Sequence, residues 1–349
     1  MDKKNNLLII TQKVDKNDSV LGFFHGWLEE FSKNYDSVTV IALEVYNHKL
    51  PSNVRVFSLG KETGKSRLKY LYRFYKYILT ERKSYYVVFV HMNQEYVLLG
   101  SLVWKILGKK IFFWRNHPNG SILTTISSKL SNKVFYTSKF SFVARYKNAV
   151  IMPAGIDTEF FCRDENINKR KGSILYLGRL SKIKKPGILI EAFNFLHKQG
   201  IKFSASLVGE AISDAEKKDL LDLKRKVSEY GLDGIINFLP AVPHWETKKF
   251  YNENEIYVNL TVTGSLDKTI VESMVCESFV LTSNRSFEGE INNIHLFKEN
   301  DVSDLALKLK SALSLTSPEL SSLGGELRSY AVKKHSLKAL ISGINKNVL

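Results

Sequence analysis

Ile174-Leu-Tyr-Leu-Gly-Arg-Leu-Ser-Lys-Ile-Lys-Lys-Pro-Gly-Ile-Leu-Ile-Glu-Ala192 changes character twice in a short space. Residues 174–177 are an unbroken apolar run, long enough for a buried strand and too short for a helix. Gly178 lets the backbone turn or approach a ligand closely, and Arg179 follows at once. Lys182, Lys184 and Lys185 come next. Pro186-Gly187 then opens the spacing Ile188, Leu189, Ala192, Phe193, Leu196, which is helical and has its proline well placed in the first turn. The piece reads strand, basic loop, helix. In open α/β sheets, ligands bind beyond the carboxyl ends of strands. A guanidinium and an ammonium there, near a helix N-terminus, suit an anion such as a diphosphate. A solvated basic loop is the plainer alternative.

The same alternation runs outward in both directions. Apolar strand-length runs lie at 7–10, 38–43, 54–59, 85–90, 110–114, 134–137 and 149–152, and again at 203–208, 235–239, 256–260 and 279–282. Helical spacings separate most of them, which predicts α/β architecture with doubly wound parallel sheets, Rossmann-like, in two domains. The expected divisions are a first domain over 1–161 and a charged, aperiodic connector over 162–172. A second domain over 173–325 and a C-terminal helix over 326–349, packing back toward the first domain, complete the chain.

The net charge is +16 over 349 residues. Residues 1–160 hold 24 Lys and Arg against 12 Asp and Glu, and the remainder holds 27 against 23. A basic first half calls for an anionic partner. Between Lys65 and Lys83, the residues Leu68, Leu71, Tyr72, Tyr75 and Leu79 share one helical face, with Arg67, Lys69, Arg73 and Lys76 crowding the others. Such a helix either covers a sheet and wets its charges or lies peripherally on an anionic membrane. Nucleic acid is set aside as a partner, because no recognition motif accompanies the charge. The two cysteines, Cys162 and Cys276, have no neighbours at metal-ligand spacing, so no metal site and no disulfide framework is expected. The opening run 7–10 is too short for a signal peptide and no segment reaches the length of a membrane span, so a reduced cytoplasmic setting is expected.

Several strand ends carry candidate chemistry. Gly22 near the start of the first helix would let a phosphate reach backbone amides, or is simply a helix-start glycine. His91-Met-Asn93 and Asn116-His117 sit just past strand carboxyl ends, and His91, Asn93, Asn116 and His117 are candidates for substrate contacts. Gly264-Ser-Leu-Asp-Lys-Thr269 runs from a strand end into a helix, so the exposed amides around Gly264, Ser265, Asp267, Lys268 and Thr269 would hold phosphate oxygens. Glu272, early in that helix, would accept hydrogen bonds from sugar or ribose hydroxyls, or else serve the helix dipole.

Pro153-Ala-Gly-Ile-Asp-Thr158, Tyr176-Leu-Gly-Arg-Leu180 with Lys184 beyond it, Val208-Gly-Glu210 and Val271-Glu-Ser-Met274 follow in that order. Together they resemble retaining glycosyltransferases of the GT-B fold, specifically glycosyltransferase family 4. The resemblance implies two Rossmann-like domains facing across a cleft and a nucleotide-sugar donor, such as a UDP- or GDP-sugar, held mainly by the second. Arg179 and Lys184 would neutralise the diphosphate, Glu272 would bind the ribose, and Gly22 would meet the phosphates. His117 matches the histidine that contacts the donor sugar and reaction centre in that family. No metal cofactor is implied. The acceptor would be a glycan or lipid-linked precursor at the inner face of the cytoplasmic membrane. The family's first motif glutamate falls at position 264, where this chain has glycine. That departure supports a second reading, a non-catalytic nucleotide-sugar or glycan binding protein, with Asp267 and Lys268 as candidates for replacement contacts.

Overall fold

The computed structural model of the protein describes residues 6–64 and 66–348. Residues 1–5 of the expected first domain, Lys65 of the basic stretch and residue 349 of the expected C-terminal helix lie outside the described residues. Two compact units emerge: one gathers Met1–Gly155, Pro243–Trp245 and Leu337–Leu349, the other Ile156–Val242 and Glu246–Ser336.

The first unit begins β1 (Asn6–Val14), α1 (Phe23–Asn34), β2 (Ser37–Val45), β3 (Val54–Ser58), α2 (Arg67–Thr80) and β4 (Val87–His91). It continues α3 (Gln94–Ile106), β5 (Lys110–Trp114), α4 (Ile122–Leu130), β6 (Lys133–Tyr136) and β7 (Ala149–Ile151). The strands form a parallel 7-stranded sheet in the order β3-β2-β1-β4-β5-β6-β7. Leu7 to Thr11 are buried without alternation, as a strand covered on both faces requires. On one face, α1 packs Phe24, Trp27, Leu28 and Phe31, and the Trp27 indole donates to Gly155 O at 2.8 Å. On the other, α2, α3 and α4 close a core around Phe74, Tyr96 and Trp104.

The second unit holds β8 (Arg170–Leu177), α5 (Pro186–Lys198), β9 (Ser204–Val208), α6 (Asp214–Glu229), β10 (Ile236–Leu239) and α7 (Thr247–Glu253). Then come β11 (Asn254–Asn259), α8 (Lys268–Val275), β12 (Phe279–Thr282), α9 (Val302–Ser314) and α10 (Ser317–His335). Its parallel 5-stranded sheet runs β10-β9-β8-β11-β12. The quoted stretch is its central β8, its basic loop and α5, so the strand order reverses beside it, where ligands of open sheets bind. The chain expected as a connector is strapped to this unit: Asn252 Oδ1 accepts from Asp164 N at 2.7 Å and Lys169 donates to Tyr251 O at 2.9 Å.

Two expectations about helices change. The stripe Leu68, Leu71, Tyr72, Leu79 does not cover the sheet; these side chains are exposed, and Phe74 and Ile78 fill the core instead. The bulkier arc wins because Phe74 finds the rings of Tyr96 and Trp104, at 5.4 and 6.0 Å between centroids. The C-terminal helical pattern is also broken. α10 ends at His335, Ser336 is extended, and a separate α11 (Leu337–Val348) joins the first unit through Leu340, Ile341 and Ile344. The break has a cause: Ile156 N donates to His335 O at 2.9 Å, and Ile156 bridges Ser336 in β fashion.

Candidate functional site

The basic loop after β8 is built by close backbone approach. Gly178 N donates to Val208 O at 3.0 Å and Leu180 N to Glu210 O at 3.0 Å, joining the loops that follow β8 and β9. A Cβ on Gly209 would stand 2.0 Å from Gly178 O, so glycine is required there. A 3₁₀ turn over Lys182–Lys184 follows, Lys185 takes the left-handed conformation, and Pro186 starts α5. The Tyr176 hydroxyl beneath donates to Arg179 O at 3.0 Å.

Each cation of this loop meets a partner. Lys182 pairs with Asp219 at 2.8 Å, Lys184 with Asp267 at 2.6 Å, and Lys185 donates to Asn300 Oδ1 at 2.6 Å. Arg179 is held most loosely, 3.6 Å from Glu216. With side-chain exposures of 45% for Arg179 and 30% for Lys184, the guanidinium is the more open to an incoming anion.

Lys184 reaches the loop that opens α8, and the polar residues there form one network. Asp267 caps α8, accepting from Thr269 N at 3.3 Å and from Thr269 Oγ1 at 3.0 Å. Its other oxygen takes Lys184 and the Thr261 hydroxyl, the latter at 2.7 Å. Burial alone would raise this carboxyl's pKa, but the Lys184 charge and the hydrogen bonds from Lys184, Thr261 and Thr269 outweigh it and hold it below the usual range. Tyr257 donates to Thr269 Oγ1 at 2.7 Å, and Thr261 N donates to Asn259 Oδ1 at 2.9 Å. Tyr257, Asn259 and Thr261 were not among the sequence candidates. Their signal is alternation: within 256–261, Tyr257, Asn259 and Thr261 fall at every second position, between apolar residues, and share one face.

Gly264 lies at φ +109°, and the loop around it is braced from below. Glu299 accepts from Thr263 N at 2.6 Å and from the Thr263 hydroxyl, while Asn284 Nδ2 donates to Ser265 O at 2.6 Å. Glu299 was also missed, since nothing in its local sequence marks it. On α8, Lys268 is half-buried and Glu272 is buried, accepting from the Tyr251 hydroxyl at 3.1 Å. Burial lowers the Lys268 pKa to about 7, against the opposing pull of Glu272 and Asp267.

In the first unit the candidates divide. His117 is exposed, its Nδ1 2.9 Å from Asn119 O, and its own carbonyl accepts from Phe142 N at 2.9 Å. Asn116 Oδ1 accepts from Thr137 N at 3.3 Å, and Asn93 donates to Gln12 Oε1 at 2.6 Å. His91 is buried, stacked on Phe24 with centroids 4.2 Å apart and with Thr11 Oγ1 at 3.2 Å from Nδ1. Its place is among packed rings. Gly22 caps α1, where a Cβ would stand 2.4 Å from Asp18 O, so its smallness serves the turn itself. Arg115, at the end of β5, was passed over in the sequence. Its Nη1 donates to Met92 O at 3.3 Å, and its Nε is buried without a hydrogen-bond partner among the described residues.

Among the described residues, no group of three or more His, Cys, Asp or Glu could hold a metal ion. No helix among them is long and apolar enough to cross a membrane.

Residues 157–329 match the family described as glycosyl transferases group 1. A stretch of 150 residues is 22% identical to D-inositol 3-phosphate glycosyltransferase of Pseudarthrobacter chlorophenolicus, covering 40% of this chain and 35% of that relative's length. The structure is similar to that of Anabaena Alr3699/HepE in complex with UDP and glucose. There the TM-score is 0.77 at 15% identity, covering 98% of this chain and 99% of that one. It is also similar to sucrose-phosphate synthase from Thermosynechococcus elongatus, with a TM-score of 0.75 at 14% identity, over 97% and 98% of the two chains.

Proposed function

We propose that this chain, whose residues 157–329 match the glycosyl transferases group 1 family and whose fold is similar to GT-B structures, moves a sugar from a nucleotide-sugar donor to a glycan or lipid-linked acceptor. The observation that carries the reading is the reach of Lys184 to the loop that opens α8, with the loosely paired, more exposed Arg179 on the same basic loop after the central strand of the second sheet. Two cations and a helix N-terminus suit a diphosphate.

The chemistry follows from charge. Cleaving the bond between sugar and diphosphate leaves a nucleoside diphosphate with more negative charge than it carried before. Arg179 and Lys184 meet that charge as it develops, which lowers the barrier. Asp267 keeps Lys184 oriented before donor arrives. His117 and Asn116 are assigned to the sugar and acceptor side, with Asn93 and His91 supporting that end of the first sheet. Glu272 is assigned to the ribose. The reaction is read as retaining and metal-independent, the side chains doing the neutralising. UDP is the favoured nucleotide because HepE, with the same fold, is described bound to it.

A thermal-shift panel of UDP, GDP and their sugars tests donor binding, because a ligand of the folded form raises its melting temperature by mass action. UDP is expected to raise it, and Arg179→Ala to lose most of the rise. A flat panel overturns the reading. The glycine at position 264 favours a second reading, a binding protein without turnover. Release of free UDP from a UDP-sugar, lost in Arg179→Ala by about 100–1,000-fold, decides for the enzyme.

A further inference from the structure

Three helices cover one face of the first sheet, and their outer surfaces share a composition unusual for a solvated face. Leu68 of α2, Leu102 and Ile106 of α3 and Ile122 of α4 are each 70–80% exposed. Tyr75 of α2 donates to Leu99 O of α3 at 2.9 Å, and Thr124 of α4 donates to Gln94 of α3 at 2.6 Å, so the helices sit side by side. Lys69 and Lys76 of α2, Lys105 of α3 and Lys129 of α4 are exposed on the same three helices. The three helices carry one acidic residue, Glu95. Over residues 66–150, fifteen Lys and Arg face two acidic residues, Glu81 and Glu95, and Glu81 is already paired with Arg55 at 2.6 Å. This segment therefore holds most of the chain's net charge of +16.

We infer that the outer faces of α2, α3 and α4 form a docking surface for an anionic lipid bilayer. Exposed leucine and isoleucine tips enter the acyl boundary while neighbouring lysines meet lipid phosphates, as on an interfacial helix. The charge selects this occupant, because a second copy of the chain would bring the same positive surface against it. The surface rests on the tertiary arrangement of three helices, whereas the sequence singled out one. Leu68 also belongs to the stripe of α2 that the core rejected.

Sedimentation of the full chain with phosphatidylglycerol–phosphatidylcholine vesicles, against pure phosphatidylcholine, tests the inference without donor or acceptor. Its failure therefore leaves sugar transfer standing, and the reverse. Retention only with phosphatidylglycerol is expected. Lys69→Gln/Lys76→Gln should weaken it about thirtyfold, from about fivefold for each lysine near an anionic surface. Leu68→Ser/Leu102→Ser/Ile122→Ser should weaken it at constant charge, and Lys333→Gln/Lys334→Gln on α10 should leave it unchanged. All these positions are exposed, and matching melting curves show that the variants fold. No retention overturns the proposal. So does an equal loss in the α10 variant, or full retention by the serine variant, which would mean adsorption by net charge alone. Self-association without vesicles that the serine changes abolish would make the occupant a second copy, and also overturns it.

Discussion

Lys184 and Asp267 form a pair whose partners depend on each other more than on solvent. Replacing Lys184 by Ala strands a carboxylate held by two threonines and an asparagine, at an expected cost of about 1.5–3 kcal/mol. Urea unfolding of Lys184→Ala, Asp267→Asn and the double variant checks this, and the double change should cost less than the sum of the two. If UDP still raises the melting temperature of Lys184→Ala fully, the lysine serves the loop and not the diphosphate. Lys268 gives a separate handle. Folded, its pKa is about 7, below the usual 10.5. Between those values the unfolded chain binds more protons, so this residue's contribution to stability rises with pH across the window. Lys268→Met removes the slope. Its gain in melting temperature over the parent should be largest near pH 7 and fade by about pH 10, which paired melts across that range would read. The sequence shows Lys184 and Asp267 separately, yet not their pairing, since they are 83 positions apart. Tyr257 and Asn259 hide for a like reason: on a strand they read as core until the helix opposite supplies Thr269.

Among the elements, α10 shows how neighbouring identical residues can have opposite roles. A Cβ on Gly324 would stand 2.4 Å from Glu277 O, against backbone that cannot swing aside. Gly325, next along the same helix, has nothing within 4 Å of its would-be Cβ. Gly324→Ala should therefore destabilise by about 1–3 kcal/mol through overpacking. Gly325→Ala should stabilise by about 0.5–1 kcal/mol, as alanine does in a helix interior. Chemical denaturation of the two single variants reads both signs. Strand and helix positions were largely legible from apolar run lengths and spacing, because buried parallel strands have little choice of composition. Which face of α2 turns inward was not legible. That helix has two apolar arcs, and only the rings of Tyr96 and Trp104, supplied by α3, decide between them.

At the scale of the whole molecule, two parallel α/β sheets were readable from the repeated alternation of strand and helix, and the structure has them. The break at Ser336 was not, because its cause is a β-bridge to Ile156, far back in the chain. That break sends α11 into the first unit, where Leu340, Ile341 and Ile344 share a core with Trp27 and Phe31. Protein synthesis runs one way, and multidomain chains ordinarily finish their leading domain first. Here a ribosome that has emitted all seven strands of the leading sheet has still not made the helix that seals one side of it. The trailing domain must be synthesised, and the chain turned at its end, before the leading one is whole. Maturation thus closes in a ring, with a helix made after the second unit completing a core begun before it.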